Sequence, residues 1–170
     1  MKRMMPVRAA TVLALVLAAG LSTAADDDPK DIVDVAVGSK DHTTLVTAVK
    51  AADYVLSLKN PGPLTVFAPT NAAFEKLPKG TVEGLLKPEK QGDLQKLLQY
   101  HVTPATYELK WLKDGQKLGQ ANGGKVVIGV KDGKYTVNGA NILASVRASN
   151  GIVHVIDAVL LPPAPEAPKK

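Results

Sequence analysis

The 170-residue chain contains no cysteine. That absence excludes disulfide staples, thiolate metal sites, a cysteine nucleophile and lipid attachment at a processed cysteine. Aromatic residues make up only 4%, and the scattered four tyrosines, two phenylalanines and single tryptophan give little material for a stacking platform that grips sugars or nucleobases. The core must be aliphatic, and a content of 45% hydrophobic and 22% charged residues suffices for one globular domain without staples. No Gly-x-Ser-x-Gly elbow, P-loop or dinucleotide glycine fingerprint occurs. The three histidines, His42, His101 and His154, lie far apart and match neither a His-x-x-x-His nor an EF-hand spacing. No catalytic residue, metal or cofactor is expected, and the lack of an Asn-x-Ser/Thr sequon leaves no N-linked glycan to mediate a contact.

"MKRMMPVRAATVLALVLAAGLSTAA" places Lys2, Arg3 and Arg8 before an apolar run from Ala9 to Leu21 and ends in small residues. Those are the three parts of a secretory signal peptide. A membrane anchor is the rival, but the run is shorter than the ~20 apolar residues that cross a bilayer. Cleavage after Ala25 takes three positive charges from the formal +5 and leaves about +2. A surface of that charge offers no concentrated basic patch, so nucleic acid is not an expected partner. The expected organisation is a signal peptide over 1–25, a solvated spacer over 26–30, one folded domain over 31–162 and a proline-stiffened tail over 163–170.

The folded part changes period halfway. After Asp41, read as an N-cap, Leu45, Val49, Ala52 and Leu56 recur on one helical face, and Leu94, Leu97, Leu98 and His101 form a second stripe. "TVEGLLK" is a shorter helical segment. From residue 125 the pattern alternates: Val126, Ile128 and Val130, the Asp132-Gly133 turn, then Tyr135 and Val137 on the same face predict a hairpin. Asn138-Gly139 is a further turn, 142–148 a strand, and Asn150-Gly151 the two-residue loop into "IVHVIDAVLL", which is apolar on both faces like a strand buried between layers. Helices first and antiparallel strands afterwards predict the α+β class.

In "TVFAPTNAAF", 65–74, a buried strand ends at Pro69, which has no amide hydrogen for a ladder. Thr70 is then placed to cap a helix beginning near Asn71, with Pro69 and Phe74 at the two positions of a hydrophobic staple. His101 lies on an apolar stripe, and its expected state is a buried imidazole bonded to a backbone carbonyl rather than a ligand contact. The Asn150-Gly151 loop sets Arg147 opposite His154, predicting a neutral His154, while Asp157 is expected to bond backbone groups or a nearby base.

Three blocks together, "TVFAPTNAAF", "LLQYHV" (97–102) and "NGIVHVIDAVLLP" (150–162), resemble the fasciclin-like (FAS1) domain family in order and spacing. The resemblance spans 31–162. It implies a wedge of two β-sheets flanked by helices and a role in cell adhesion or extracellular-matrix contact. In animal members it implies integrin contacts through the Tyr-His block, here Tyr100 and His101, and through an Asp-Ile pair whose place is taken here by Ser145 and Val146. The carboxylate is missing, so an integrin partner is not expected.

The combined expectation is a non-enzymatic binding module, secreted and either extracellular or periplasmic, that contacts an extracellular or envelope protein or polysaccharide. Candidate contacts are Thr70, Asn71, Tyr100 and His101, with Pro69, Phe74, His154 and Asp157 serving the architecture. A periplasmic carrier or sensor with a small apolar ligand between helices and sheet is the alternative, and a hydrolase with an unrecognised site is a third.

Overall fold

The computed structural model describes residues 29–78 and 80–162, so the expected signal peptide, most of the spacer and the tail lie outside the described residues. Helix α1, Ile32–Val37, starts at a capping box in which Asp31 Oδ1 accepts from the Asp34 amide at 2.8 Å and Asp34 Oδ2 accepts from the Asp31 amide at 3.2 Å. A 3₁₀ turn over Lys40–His42, capped by Ser39, leads into α2, Thr43–Ala51, which buries Leu45, Ala48 and Val49. The expected Asp41 cap is replaced: His42 precedes α2 without a capping bond. The predicted stripe also stops early. Asp53 adopts a left-handed φ of 53°, and the restart as α3, Val55–Lys59, turns Leu58 inward and leaves Leu56 76% exposed. Short helices α4, Asn71–Glu75, and α5, Thr81–Leu85, precede α6, Gln91–Tyr100, whose inward face is Leu94, Leu97, Leu98 and Tyr100.

The strands are β1 Leu64–Pro69, β2 Val102–Thr103, β3 Lys117–Gly119, β4 Lys125–Lys131, β5 Lys134–Val137, β6 Ala140–Ala148 and β7 Gly151–Ile156. Hydrogen bonding joins all seven in the order β2-β1-β7-β6-β5-β4-β3, where the resemblance implied two sheets. β6 is the joint: Ala140 and Asn141 pair with β5, and beyond an irregularity at Ile142/Ala144 the strand pairs only with β7. Asp132-Gly133 and Asn138-Gly139 make the expected turns, with positive φ at all four residues. β1 lies parallel to β7, with Val66 opposite Val153 and Phe67 opposite His154. The period reading did not foresee this long-range pair, because a parallel partner leaves no turn signal in the chain.

Alternation on β1 feeds two cores. Val66 and Ala68 face the helices beside Ile32, Leu45, Leu97 and Val153, while Phe67 faces a second cluster with Tyr100, Leu118, Ile128, Val137 and Ile156. Both faces of β1 and β7 are therefore covered, which explains their nearly continuous apolar sequence.

The β6-β7 loop is Ser149-Asn150, two positions short of the register predicted from Asn150-Gly151: Ala148 pairs with Gly151, Arg147 with Ile152 and Ser145 with His154. Two constraints set it. A Cβ at Gly151 would collide with the Leu64 carbonyl of β1, so this glycine must lie inside the strand where backbones close up. Asn150 is held by three elements, its Oδ1 accepting from the Ile32 amide at 3.0 Å and its Nδ2 donating to Leu58 O at 2.8 Å and Asn60 O at 3.1 Å. Gly151→Ala is expected to destabilise by about 1 to 3 kcal/mol in urea unfolding, with Ser149→Ala near neutral; equal effects at the two positions would contradict the register.

Candidate functional site

The first signature block positions a strand-to-helix corner. Thr70 donates its amide to Ile156 O at 3.1 Å, extending the β1 edge by one bond past Pro69, and its Oγ1 accepts from the Ala73 amide at 3.3 Å as the α4 cap. Pro69 is buried and Phe74, half-buried, packs on the helical core; they occupy the positions before the cap and four residues after it. Asn71 reaches across to the uncapped start of α2. Its Oδ1 accepts from the Thr44 amide at 3.0 Å and Thr43 Oγ1 at 3.2 Å, and its Nδ2 donates to Lys40 O at 3.0 Å. A residue 27 positions away from Thr44 thus supplies the missing cap of α2.

Tyr100 and His101, proposed from sequence as contact residues, are only 1% and 3% exposed and present no surface to a partner. Their polar atoms are consumed internally. Tyr100 Oη donates to Lys125 O at 2.9 Å and accepts from Asn138 Nδ2 at 3.0 Å, and its ring lies where a Cβ on Gly124 would stand 2.7 Å away. His101 Nδ1 donates to Leu97 O at 2.8 Å, which leaves Nε2 to accept the Leu160 amide at 2.9 Å. The His101 carbonyl accepts from the Phe67 amide at 2.8 Å. One residue therefore ties α6, β1 and the C-terminal segment together, and burial pushes its pKa down to about 4.

His154 is 0% exposed, with its ring centroid 5.6 Å from that of Phe67. Its Nε2 lies 2.8 Å from Tyr107 O and its Nδ1 3.0 Å from Ser145 Oγ. Burial, not the expected Arg147, lowers its pKa, because Arg147 pairs across the hairpin with Ile152 and its guanidinium bonds Glu108. Asp157, just past β7, accepts from the Asn141 amide and Asn141 Nδ2, both at 2.8 Å. These Asn141 bonds and the Lys76 ammonium, 3.9 Å from Asp157 Oδ2, hold the carboxyl below its ordinary range.

Two kinds of space remain. A small apolar cavity of about 60 Å³ lies between the helices and β1, lined by Ile32, Leu45, Val49, Tyr54, Leu58 and Val66. It is far below the roughly 300 Å³ at which small-molecule pockets begin. At the β6-β7 hairpin, an open groove of about 890 Å³ runs past Asp31, Lys59 and Asn150 and shares Arg147 and Ile152 with a neighbouring groove of about 380 Å³. Glu108 there pairs with Lys110 at 2.6 Å and with Arg147. The next residue, Trp111, is 51% exposed with the Lys110 ammonium 5.2 Å from its ring centroid. Sequence reasoning missed this region. "YELKW" has no periodicity to set it apart, and the Arg147 partner of Glu108 comes from β6, far along the chain.

A helix-flanked mixed sheet whose polar signature residues brace its corners is a domain of α+β class. The Fasciclin domain model matches residues 40–162, and the chain belongs to that family. It is 51% identical over 144 residues to protein sll1483 of Synechocystis, covering 84% of this chain and 79% of that one. It is 38% identical over 105 residues to the cell surface glycolipoprotein MPB83 of Mycobacterium bovis, covering 62% of this chain and 46% of that one. Among solved structures, a FAS1 domain pair from the insect cell adhesion molecule Fasciclin I superposes with a TM-score of 0.70 at 19% identity, covering 78% of this chain and 51% of that one. At that identity the likeness concerns the fold.

Thr70→Ala removes the α4 cap and is expected to cost about 0.5 to 2 kcal/mol; a change within a few tenths of zero in thermal or urea unfolding would remove Thr70 from this role. Acid should also loosen the fold through its buried imidazoles. His42, His101 and His154 are all held below the ordinary 6.5, so the unfolded chain binds protons that the folded chain refuses. Stability is therefore complete above pH 6.5 and declines as pH falls, by up to about 1.4 kcal/mol per unit for each histidine. The loss due to His101 continues down to about pH 4 and levels off below it. Urea midpoints at pH 7, 6 and 5 check this: a flat profile would mean that the imidazoles are not buried in neutral form.

Proposed function

We propose that the chain is an exported FAS1 module that mediates adhesion-type contacts with a protein or polysaccharide of the cell surface, envelope or extracellular matrix, without chemistry of its own in that role. The observation that carries this reading is the contrast between its two kinds of space. The apolar cavity under the helices, at about 60 Å³, is too small for a carried ligand, whereas the open grooves at the hairpin, about 890 and 380 Å³, suit an extended chain. The groove walls carry hydrogen-bonding groups of both signs, including Asp31, Lys59, Glu108 and Arg147, as a polar polymer requires. Trp111, half exposed and next in sequence to the groove-lining Lys110, supplies a flat face on which a sugar or peptide can stack. One of the similar proteins is described by its name as a cell surface glycolipoprotein, which supports the same class and an extracytoplasmic location.

Thr70 and Asn71 are half-buried at the opposite corner of β1 and contribute by holding α2 and α4; Tyr100 and His101 act on recognition only through the core. No helix of the described residues is long and apolar enough to cross a membrane.

Crosslinking of the protein in its native envelope, followed by mapping of the attached material, tests the reading. Crosslinks should concentrate on Lys59, Lys110 and the hairpin. Trp111→Ala should weaken capture at least about tenfold, equivalent to about 1.4 kcal/mol, with unfolding unchanged. Recovery of the protein without attached polymer, together with a small apolar molecule by native mass spectrometry, would favour the carrier reading instead.

A further inference from the structure

The neutral, buried His154 has both ring nitrogens engaged, and the chemistry of its partners decides where the proton sits. Tyr107 offers a carbonyl oxygen, which only accepts, so the Nε2 at 2.8 Å carries the hydrogen. In a neutral imidazole this leaves a lone pair on Nδ1, and Ser145 Oγ at 3.0 Å must donate its hydroxyl proton to it. The arrangement is a serine hydroxyl on a base, with the base held in one tautomer by a third group. Ser145 itself is exposed and lines the groove of about 380 Å³, while His154 beneath it is wholly buried. Lys110 and Arg147 line the same groove, as do the apolar Leu109 and Ile152.

We propose that Ser145 is a nucleophilic serine that accepts an acyl group from short-chain carboxylic esters bound in this groove. In the step, Ser145 Oγ bonds to the ester carbonyl carbon as its proton passes to His154 Nδ1, and the carbonyl π-electrons move onto oxygen. Collapse restores the carbonyl, breaks the bond to the alkoxide, and His154 Nδ1 returns the proton to that leaving group, so the products are acyl-Ser145 and an alcohol. The Tyr107 carbonyl continues to accept from Nε2 throughout, stabilising the transient imidazolium. Lys110 and Arg147 at the groove are both paired with Glu108, so water and these paired groups meet the developing oxyanion, and Leu109 and Ile152 provide apolar surface for a short acyl chain. The ester would occupy the groove that the adhesion reading gives to an extended polymer, but the step itself draws on Ser145, His154 and Tyr107, which that reading does not use.

The full chain should be treated with a fluorophosphonate probe, which forms a serine O–P bond with release of fluoride, and the adducts mapped by peptide mass spectrometry. Ser149, exposed in the loop of the same hairpin, serves as the internal reference. Ser145 is expected to react about 100-fold faster than Ser149, the lower end of what a positioned base contributes. The adduct should vanish in Ser145→Ala, and para-nitrophenyl acetate should leave one acetyl group on Ser145 and block the probe. Equal rates at the two serines, or an adduct only elsewhere, would overturn the nucleophile. Probe labelling without acetyl transfer would overturn the ester as substrate. The comparison within the unmodified chain needs no variant to fold.

Discussion

The parallel pairing of β1 with β7 is the constraint on which the rest of the structure depends. It joins residues 64–69 to 151–156 and buries both faces of both strands, so one ladder separates and supports two aliphatic cores. The contact is costly to form, since a long loop must close before any of its bonds can. Its backbone approach is close enough that Gly151 cannot carry a side chain, and that closeness in turn sets the hairpin register and the neighbours of His154.

Around this ladder, the polar residues of the signature blocks behave as internal connectors. His101 bridges a helix carbonyl and a C-terminal amide, Asn71 caps a helix other than its own, Asn150 ties α1 and α3 to the hairpin, and Asp157 closes the start of β6. Each satisfies backbone groups that burial would otherwise leave unpaired, a debt larger than the net gain of an ordinary hydrogen bond. A domain with few aromatics and no disulfides thus gains its specificity from directed bonds within an aliphatic interior. The open surface lies chiefly in the grooves beside β6 and at the half-exposed Trp111.

Much of the local structure was legible. The α6 stripe, the Asp132-Gly133 and Asn138-Gly139 turns, the Thr70 cap and the doubly apolar last strand follow from periodicity and turn chemistry, which act over a few residues. Legibility failed where a choice depended on distant atoms. Leu56 fits the stripe of α2 in sequence but lies beyond a left-handed residue. Asn150-Gly151 has the composition of a hairpin loop, yet Gly151 is required inside the strand by Leu64. Tyr100 carries the polarity of a contact residue, and its burial is visible only once β4 and β5 have closed over it, whereas the burial of His101 was legible from its place on the apolar stripe of α6.

By itself, the sequence determined the α6 stripe, the two Asx-Gly turns, the Thr70 cap and the last strand, together with the aliphatic character of the interior, the lack of thiol chemistry and the family blocks, since all of these reside in residue type and short spacing. The tertiary structure alone decided which histidine meets which partner, that Ser145 stands on His154 and Arg147 on Glu108, and where open space remains. The physical reason is that a shift of two residues in one β-ladder leaves every local preference intact while exchanging every cross-strand neighbour.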